Sequence, residues 1–311
     1  MAVNLSVSIA SKHDGGLSLK NPVMTASGTF GYGIEYAKLV DIERLGAIVC
    51  KGTTLHPREG NPQPRLAETA SGMLNTIGLQ NIGVQALVRE KAPIWAKWSV
   101  PVIVNIAGES VDEYARIAET LEAAPGVAGL EINISCPNVS AGRIPFGVDK
   151  CAAAEVTAAV REFSSLPIIV KLTPNVTNVG EIAEAVVEAG ADAVSLINTL
   201  LGMVVDVRAR RPYLSTLTGG LSGPAVKPVA LRMVYEVAKS VDVPVIGIGG
   251  ISSAQDAIEF IMAGATAVQI GTVNFVNPNA AIEIIDGIER FLAEEGIADI
   301  NELIGVAQQV G

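Results

Sequence analysis

The sequence is poor in the residues that usually announce chemistry. It has three cysteines, Cys50, Cys136 and Cys151, in 311 residues. Their spacing forms neither a disulfide framework nor a metal-binding pattern. A reducing, cytoplasmic setting is the expectation for such a chain. The two histidines, His13 and His56, offer no acid–base pair. Charged residues are 17% and aromatics 4%. The net charge is −10, with no Lys/Arg cluster, which argues against nucleic-acid and anionic-membrane binding and leaves solubility as the use of the acidity. The first residues, "MAVNLSVSIASKHDGG", lack the basic and apolar regions of a signal peptide, and no apolar run reaches transmembrane length.

Small aliphatic residues fill the space left by these absences. Hydrophobic residues make up 49% of the chain, ample for a large core. Short β-rich runs recur at 23–27, 47–53, 101–108, 129–135, 167–174, 193–199, 244–250 and 267–272. Stretches such as "SVDEYARIAETLEAA" and "SAQDAIEFIMAGA" between them have helical spacing, with Ser110 and Ser252 or Ser253 as N-caps. Eight strands, each followed by a helical pattern, predict a (β/α)8 TIM barrel, one domain over residues 1–311. A doubly wound open sheet competes, but no GxGxxG follows the first strand. "LSVSIA" and "LSLKNP", flanking "KHDGG", predict a hairpin capping the bottom of the barrel. Two connections, 54–80 and 200–223, are too long for simple βα turns and lie on the face where barrels build sites.

Strand interiors are Val, Ile, Leu and Ala, whereas the C-terminal ends are polar or glycine. The ends carry Ser27, Lys51, Asn105, Asn133 with Cys136, Lys171, Asn198 with Thr199, Gly249 with Gly250, and Gly271 with Thr272. Eight such ends on one face suit a polar ligand. Lys51 and Lys171 sit in apolar runs, where a lysine needs an anion. The favoured reading is one phosphate-bearing or enolate-like ligand facing both; the alternative is a salt bridge, for which Glu131 is the only nearby strand carboxylate. "GIGGIS" and "IGT" suit a phosphate against backbone N–H groups, or are merely tight turns. Asn75, Asn105, Asn133 and Asn198 suit a ring of alternating C=O and N–H groups, or stabilise turns.

No acid pair stands at the strand ends. Cys50 alternates with Lys51 and faces the helices, and Cys151 opens a helix as filler. Cys136 lies past a strand end, where the following proline stops the strand. A lone cysteine is most often an inert small hydrophobe. Elimination favours a functional thiol here, acting as the base.

The motifs "NPVMTASGTFGYG", "KGTT" with "GNPQPR", "NTIGLQN", "NISCPN", "VKLTPN", "INT", "TGGLSGPAVKPVALR", "GIGGI" and "QIGT" run along essentially the whole chain. Together they resemble the class 1 dihydroorotate dehydrogenases, flavin-dependent (β/α)8 enzymes of pyrimidine biosynthesis. The stretch "TGGLSGPAVKPVALRMVYEV" is similar to the class 1B form. The resemblance implies one FMN, held by Ser27, Lys51, Gly52, Asn105, Asn133, Lys171, Ile197, Gly223, Gly249, Gly250, Gly271 and Thr272. It implies dihydroorotate held by Lys51, Asn75, Thr76, Ile77, Gly78, Leu79, Asn133, Asn198 and Thr199, with Cys136 as base at C5 and hydride passing from C6. Lys171 is implied beside the flavin N1–O2 edge. Residues 136–149, with Gly142 and Gly147, are expected to act as a lid.

The class 1B likeness also implies partners: a homodimer core, and an iron–sulfur/FAD subunit that passes electrons to NAD. Three cysteines cannot supply a [2Fe–2S] centre, and no second nucleotide fold is visible. The alternatives are a class 1A-like homodimer using fumarate, a flavin-free phosphate-binding barrel lyase or isomerase using Lys51 or Lys171, and a non-catalytic flavin-binding subunit.

Overall fold

The computed structural model describes residues 3–10, 16–135, 137–138 and 144–309. Its centre is a closed barrel of eight parallel strands. In chain order these are β1 (Val23–Thr25), β2 (Ala47–Val49), β3 (Val102–Ile106), β4 (Val127–Asn133), β5 (Ile168–Leu172), β6 (Ala193–Leu196), β7 (Val245–Ile248) and β8 (Ala267–Ile270). Each pairs with its neighbours in sequence, and β8 pairs with β1 to close the ring. All eight expected runs are strands. Their ordered cores are shorter than the apolar runs, so several expected site residues stand just beyond the last ladder bond.

The strands hold because both faces are covered. β3 reads VIVNI and β5 reads IIVKL, and every residue in both is buried. Each such Val, Ile or Leu contributes roughly 1.5–3 kcal/mol through burial. The helices pack outside: α1 (Val84–Glu90), α2 (Ala92–Trp95), α3 (Val111–Glu122), α4 (Lys150–Phe163), α5 (Val179–Glu188), α6 (Lys227–Ser240), α7 (Ala254–Met262) and α8 (Ala280–Glu295). Ser110 caps α3 by accepting from the Glu113 N–H, as expected. Ser253, rather than Ser252, caps α7 in a reciprocal box with Asp256.

Two expectations are corrected. The first βα connection holds no α-helix among the described residues; turns and the 3-10 helix Ile42–Arg44 replace it. The two long insertions are not merely loops. Leu66–Thr69 and Gly72–Asn75 from the first join Leu200–Gly202 and Gly219–Ser222 from the second in one four-stranded antiparallel sheet. The joining ladder pairs Leu221 with Leu74 and Ser222 with Met73. A Cβ at Gly220 would lie 2.1 Å from Thr199 Oγ1, so the sheet can descend onto the end of β6 only with glycine there.

At the opposite end Val7–Ser8 pairs with Ser18–Leu19, the expected hairpin. Leu17 reaches the start of β4, 3.6 Å from where a Cβ on Gly129 would stand. Residues 11–15, His13 among them, lie outside the described residues. Among the described residues no helix is long and apolar enough to cross a membrane.

Helices α6 and α7 are joined by Lys227, whose ammonium donates to Asp256 at 2.6 Å and Glu259 at 2.8 Å. Burial alone pushes the Asp256 carboxyl up; hydrogen bonds from Lys227, Ser252 and Ser253 outweigh it and bring it down to about 2. A carboxyl lowered on folding stabilises above its unfolded value near 4, and that stability is lost as pH falls towards about 2. Asp256→Asn is therefore expected to lower the melting temperature at pH 6, with the gap to the parent closing between pH 4 and pH 2. A gap independent of pH in thermal melts would refute the ion-pair account.

Candidate active site

The floor of the site is a polar cluster inside the barrel. Glu131 on β4 is fully buried. Its Oε1 accepts from Ser195 Oγ of β6 at 2.9 Å and Gln269 Nε2 of β8 at 2.7 Å. Its Oε2 accepts from Asn105 Nδ2 of β3 at 2.7 Å and lies 3.8 Å from Lys171 Nζ of β5. Lys171 also donates to Ser27 Oγ at 3.3 Å, past the end of β1. Alternation along each strand turns these side chains inward among the apolar ones. For Lys171, then, the salt-bridge reading holds: its partner is Glu131.

Lys51 differs. Among the described residues its ammonium has no hydrogen bond or ion pair. Burial first, and the Arg65 guanidinium second, push it below the usual lysine range, and Glu35 offsets only part of this. Arg65 comes from the first insertion, held by Gln80 Oε1 at 2.8 Å. The Arg65 guanidinium adds to the positive field at Lys51 and Glu35 offsets only part of it, a balance that favours an anion there.

Three glycine-bearing connections converge at the ends of β7 and β8. Gly223 has φ +93°, Gly249 +131° and Gly250 +73°, backbone shapes that favour glycine. A Cβ on Gly250 would lie 2.8 Å from the Gly223 carbonyl, and one on Gly249 3.3 Å from the Ile197 side chain. Thr272 Oγ1 donates to Ser222 Oγ at 2.8 Å, tying Gly271-Thr272 to the same corner. Packing against α6 also demands glycine here, since a Cβ on Gly249 would lie 2.7 Å from Ala230 Cβ and one on Gly250 2.8 Å from Lys227 Cβ; at the C-terminal ends of the strands such a glycine corner suits a phosphate.

The amides gather on the other side. Asn198 Nδ2 donates to Asn133 Oδ1 at 3.1 Å and to Ser135 Oγ at 2.9 Å. Asn133 Oδ1 also accepts from the Ser135 N–H, so this asparagine stabilises its turn as well. Asn75, in the insertion sheet, donates to the Gly220 carbonyl at 3.3 Å. Thr76 Oγ1 accepts from Asn61 at 2.9 Å and from Thr216 at 2.8 Å, locking the two insertions together. Gly78 and Leu79 follow with φ +74° and +55°. Leu79 is a non-glycine residue in the left-handed region, a strained shape of the kind that collects at binding sites. Its side chain approaches Gly52, 3.5 Å from where a Cβ there would stand.

Cys136 lies outside the described residues, as does Gly142. The described flanks of its segment are anchored. Pro137–Asn138 pairs with Ile144–Pro145. Phe146 is buried edge-on against Tyr114, with centroids 5.7 Å apart, and the Gly147 N–H donates to the Ile134 carbonyl at 2.7 Å. Of the other thiols, burial pushes Cys50 up to about 12, which removes it as a base near neutrality. Cys151 is exposed on the first turn of α4.

A glycine-lined corner, a buried cation, a cation with no partner among the described residues and a set of amides share one rim. Residues 10–292 match the family model described as dihydroorotate dehydrogenase. The chain belongs to the dihydroorotate dehydrogenase family. It is 59% identical over 302 residues to the dihydroorotate dehydrogenase B (NAD(+)), catalytic subunit, of Geotalea uraniireducens, covering 97% of each chain. It is 59% identical to the subunit of that name from Desulforamulus reducens, covering 99% of each, and 57% identical to that of Desulforudis audaxviator over the full length of both. Family membership sets aside the flavin-free lyase.

Sequence reasoning missed Ser195, Gln269 and Arg65 as neighbours of the site. Ser195 and Gln269 are single polar residues inside "AVSLINT" and "AVQIGT", and an inward-facing polar residue in an otherwise apolar strand was the available signal.

The unpaired Lys51 gives a prediction. Lys51→Met is expected to raise the stability of the ligand-free protein by about 1 kcal/mol at pH 7, since the buried ammonium has no partner among the described residues, and to abolish turnover if the lysine serves a ligand. A lysine lowered on folding costs stability while it stays charged, and stability recovers as pH rises towards the unfolded value near 10.4. Denaturant melts at pH 7 and pH 10 check this; a variant less stable than the parent at both would refute it.

Proposed function

We propose that the chain oxidises dihydroorotate to orotate in pyrimidine biosynthesis, as the FMN-bearing catalytic subunit of an NAD-linked enzyme. The observation that carries this reading is the shared rim: the glycine corner at β7 and β8 lies on the same face as Lys171, Lys51 and the amides of Asn105, Asn133 and Asn198. The residues fit FMN. Gly223, Gly249, Gly250, Gly271 and Thr272 would hold its phosphate, with Ile197 beside them. Lys171, Ser27, Asn105, Asn133, Lys51 and Gly52 would hold its ring.

When bound, FMN supplies the hydride acceptor for C6 of dihydroorotate. The chain's own residues do the rest. Lys51 binds the substrate carboxylate, relieving the charge it otherwise carries alone. Asn75, Asn133, Asn198 and Thr199 read the ring's C=O and N–H groups, and the segment Thr76, Ile77, Gly78 and Leu79 holds it over the barrel. The C5 proton is α to a carbonyl and therefore weakly acidic; Cys136 removes it as thiolate. Lys171 favours negative charge at the adjoining ring edge. The lid expected over residues 136–149 would close over the substrate and exclude water through the part that precedes the buried Phe146. Electrons leave through a partner carrying an iron–sulfur cluster and FAD, docked on a homodimeric core.

Anaerobic dihydroorotate is expected to bleach the flavin spectrum of the purified chain, at a rate rising with pH towards an ordinary thiol pKa of about 8.5. Cys136→Ala should retain FMN and bleach at least about 100-fold more slowly. An alanine variant that bleaches at the parent rate excludes Cys136 as base.

The isolated chain is also expected to reduce artificial dyes but not NAD+. Efficient fumarate reduction by the isolated chain would move it to the class 1A-like mode, and NAD+ reduction without a partner would remove the need for one.

A further inference from the structure

Glu131 has no part in the steps above, yet two of its neighbours do. Asn105 and Lys171 are assigned to the flavin; Ser195 and Gln269 are not. All four present donors, from β3, β5, β6 and β8, to one carboxylate with no exposed surface. A carboxylate in such company only accepts. Asn105 must therefore turn its NH2 group towards Glu131 and present its carbonyl oxygen upward. That oxygen lies 3.0 Å from where a Cβ on Gly52 would stand, on the ligand side of the strand ends. Lys171 is held in the same way, with Glu131 at 3.8 Å on one side and the Ser27 hydroxyl at 3.3 Å on the other.

We propose that Glu131 is a positioning residue that fixes the amide orientation of Asn105 and aims and partly neutralises Lys171, thereby setting the field at the flavin ring. This rests on the flavin reading above. The argument is electrostatic. Lys171 favours added negative charge on the ring; a carboxylate 3.8 Å from its ammonium and with no exposed surface offsets much of that pull. Glu131 so holds the bound flavin less oxidising than Lys171 alone would make it, and keeps an otherwise isolated buried ammonium in place before the cofactor arrives. A purely structural carboxylate, holding strands together, would affect melting and nothing else.

The test compares midpoint potentials from anaerobic spectroelectrochemical titration, with FMN affinity from the fluorescence of released FMN. Glu131→Gln keeps the shape and removes the charge. It is expected to tighten reduced relative to oxidised FMN by about tenfold, which is about +30 mV for a two-electron couple. In a Lys171→Met background the same substitution should change that ratio by less than about threefold, because the effect passes through the lysine. An unchanged potential in Glu131→Gln, or an equal shift in both backgrounds, overturns the proposal. If Glu131→Gln does not fold, Glu131→Asp serves instead: the charge withdraws by one methylene from its partners, and a shift in the same direction of about threefold is expected, no shift being the overturning result. A parent protein that takes up no flavin removes the underlying reading, and the proposal with it.

Discussion

Parallel strands cannot be joined by hairpins. Each must be followed by a crossover on the outside of the sheet, and closing eight of them into a ring sends every strand's C-terminal end to the same rim. The site depends on that constraint. Lys51, Asn105, Asn133, Lys171, Asn198, Gly249 and Gly271 are scattered over more than two hundred residues, and none is close to the others along the chain. They meet because their strands run the same way around one closed ring. The apolar interiors of those strands make the ring stable enough to carry charged and strained groups at its edge.

What the ring carries is costly in stability. A carboxylate and an ammonium are enclosed together at the centre, and replacing such pairs by apolar residues is often neutral or stabilising. The cluster is tolerated because it is almost completely satisfied: Glu131 receives donors from four other strands. The exception is Gln269 Oε1, a buried acceptor with no partner among the described residues. Lys51, outside this cluster, has no hydrogen bond or ion pair among the described residues.

The insertions show a second use of the rim. Each contributes two strands that would be marginal as an isolated hairpin. Paired together, and locked by the Thr76–Thr216 hydrogen bond, they make a sheet that presents Asn75 from above the barrel ends. One wall of the site is therefore built from two segments whose joining hydrogen bond spans 140 residues of sequence.

Much of the architecture was legible in the sequence because its signals are local. A run such as "PIIVKLTP" declares a buried strand by composition, and Ser110 or Ser253 before an amphipathic stretch declares a helix start. Eight repetitions imply the barrel, and the barrel identifies Lys51, Lys171 and the terminal asparagines as one group. The tertiary structure decided what depends on partners distant in sequence. It paired Lys171 with Glu131 while leaving Lys51 unpaired, a choice no spacing reveals, since both lysines sit alike in apolar runs. It drew Ser195 and Gln269 into the floor, and it made a shared sheet of two connections that read as loops. The reason is physical: strand and helix propensities act over neighbouring residues, whereas ion pairs and antiparallel ladders form between groups that come together only once the barrel has closed.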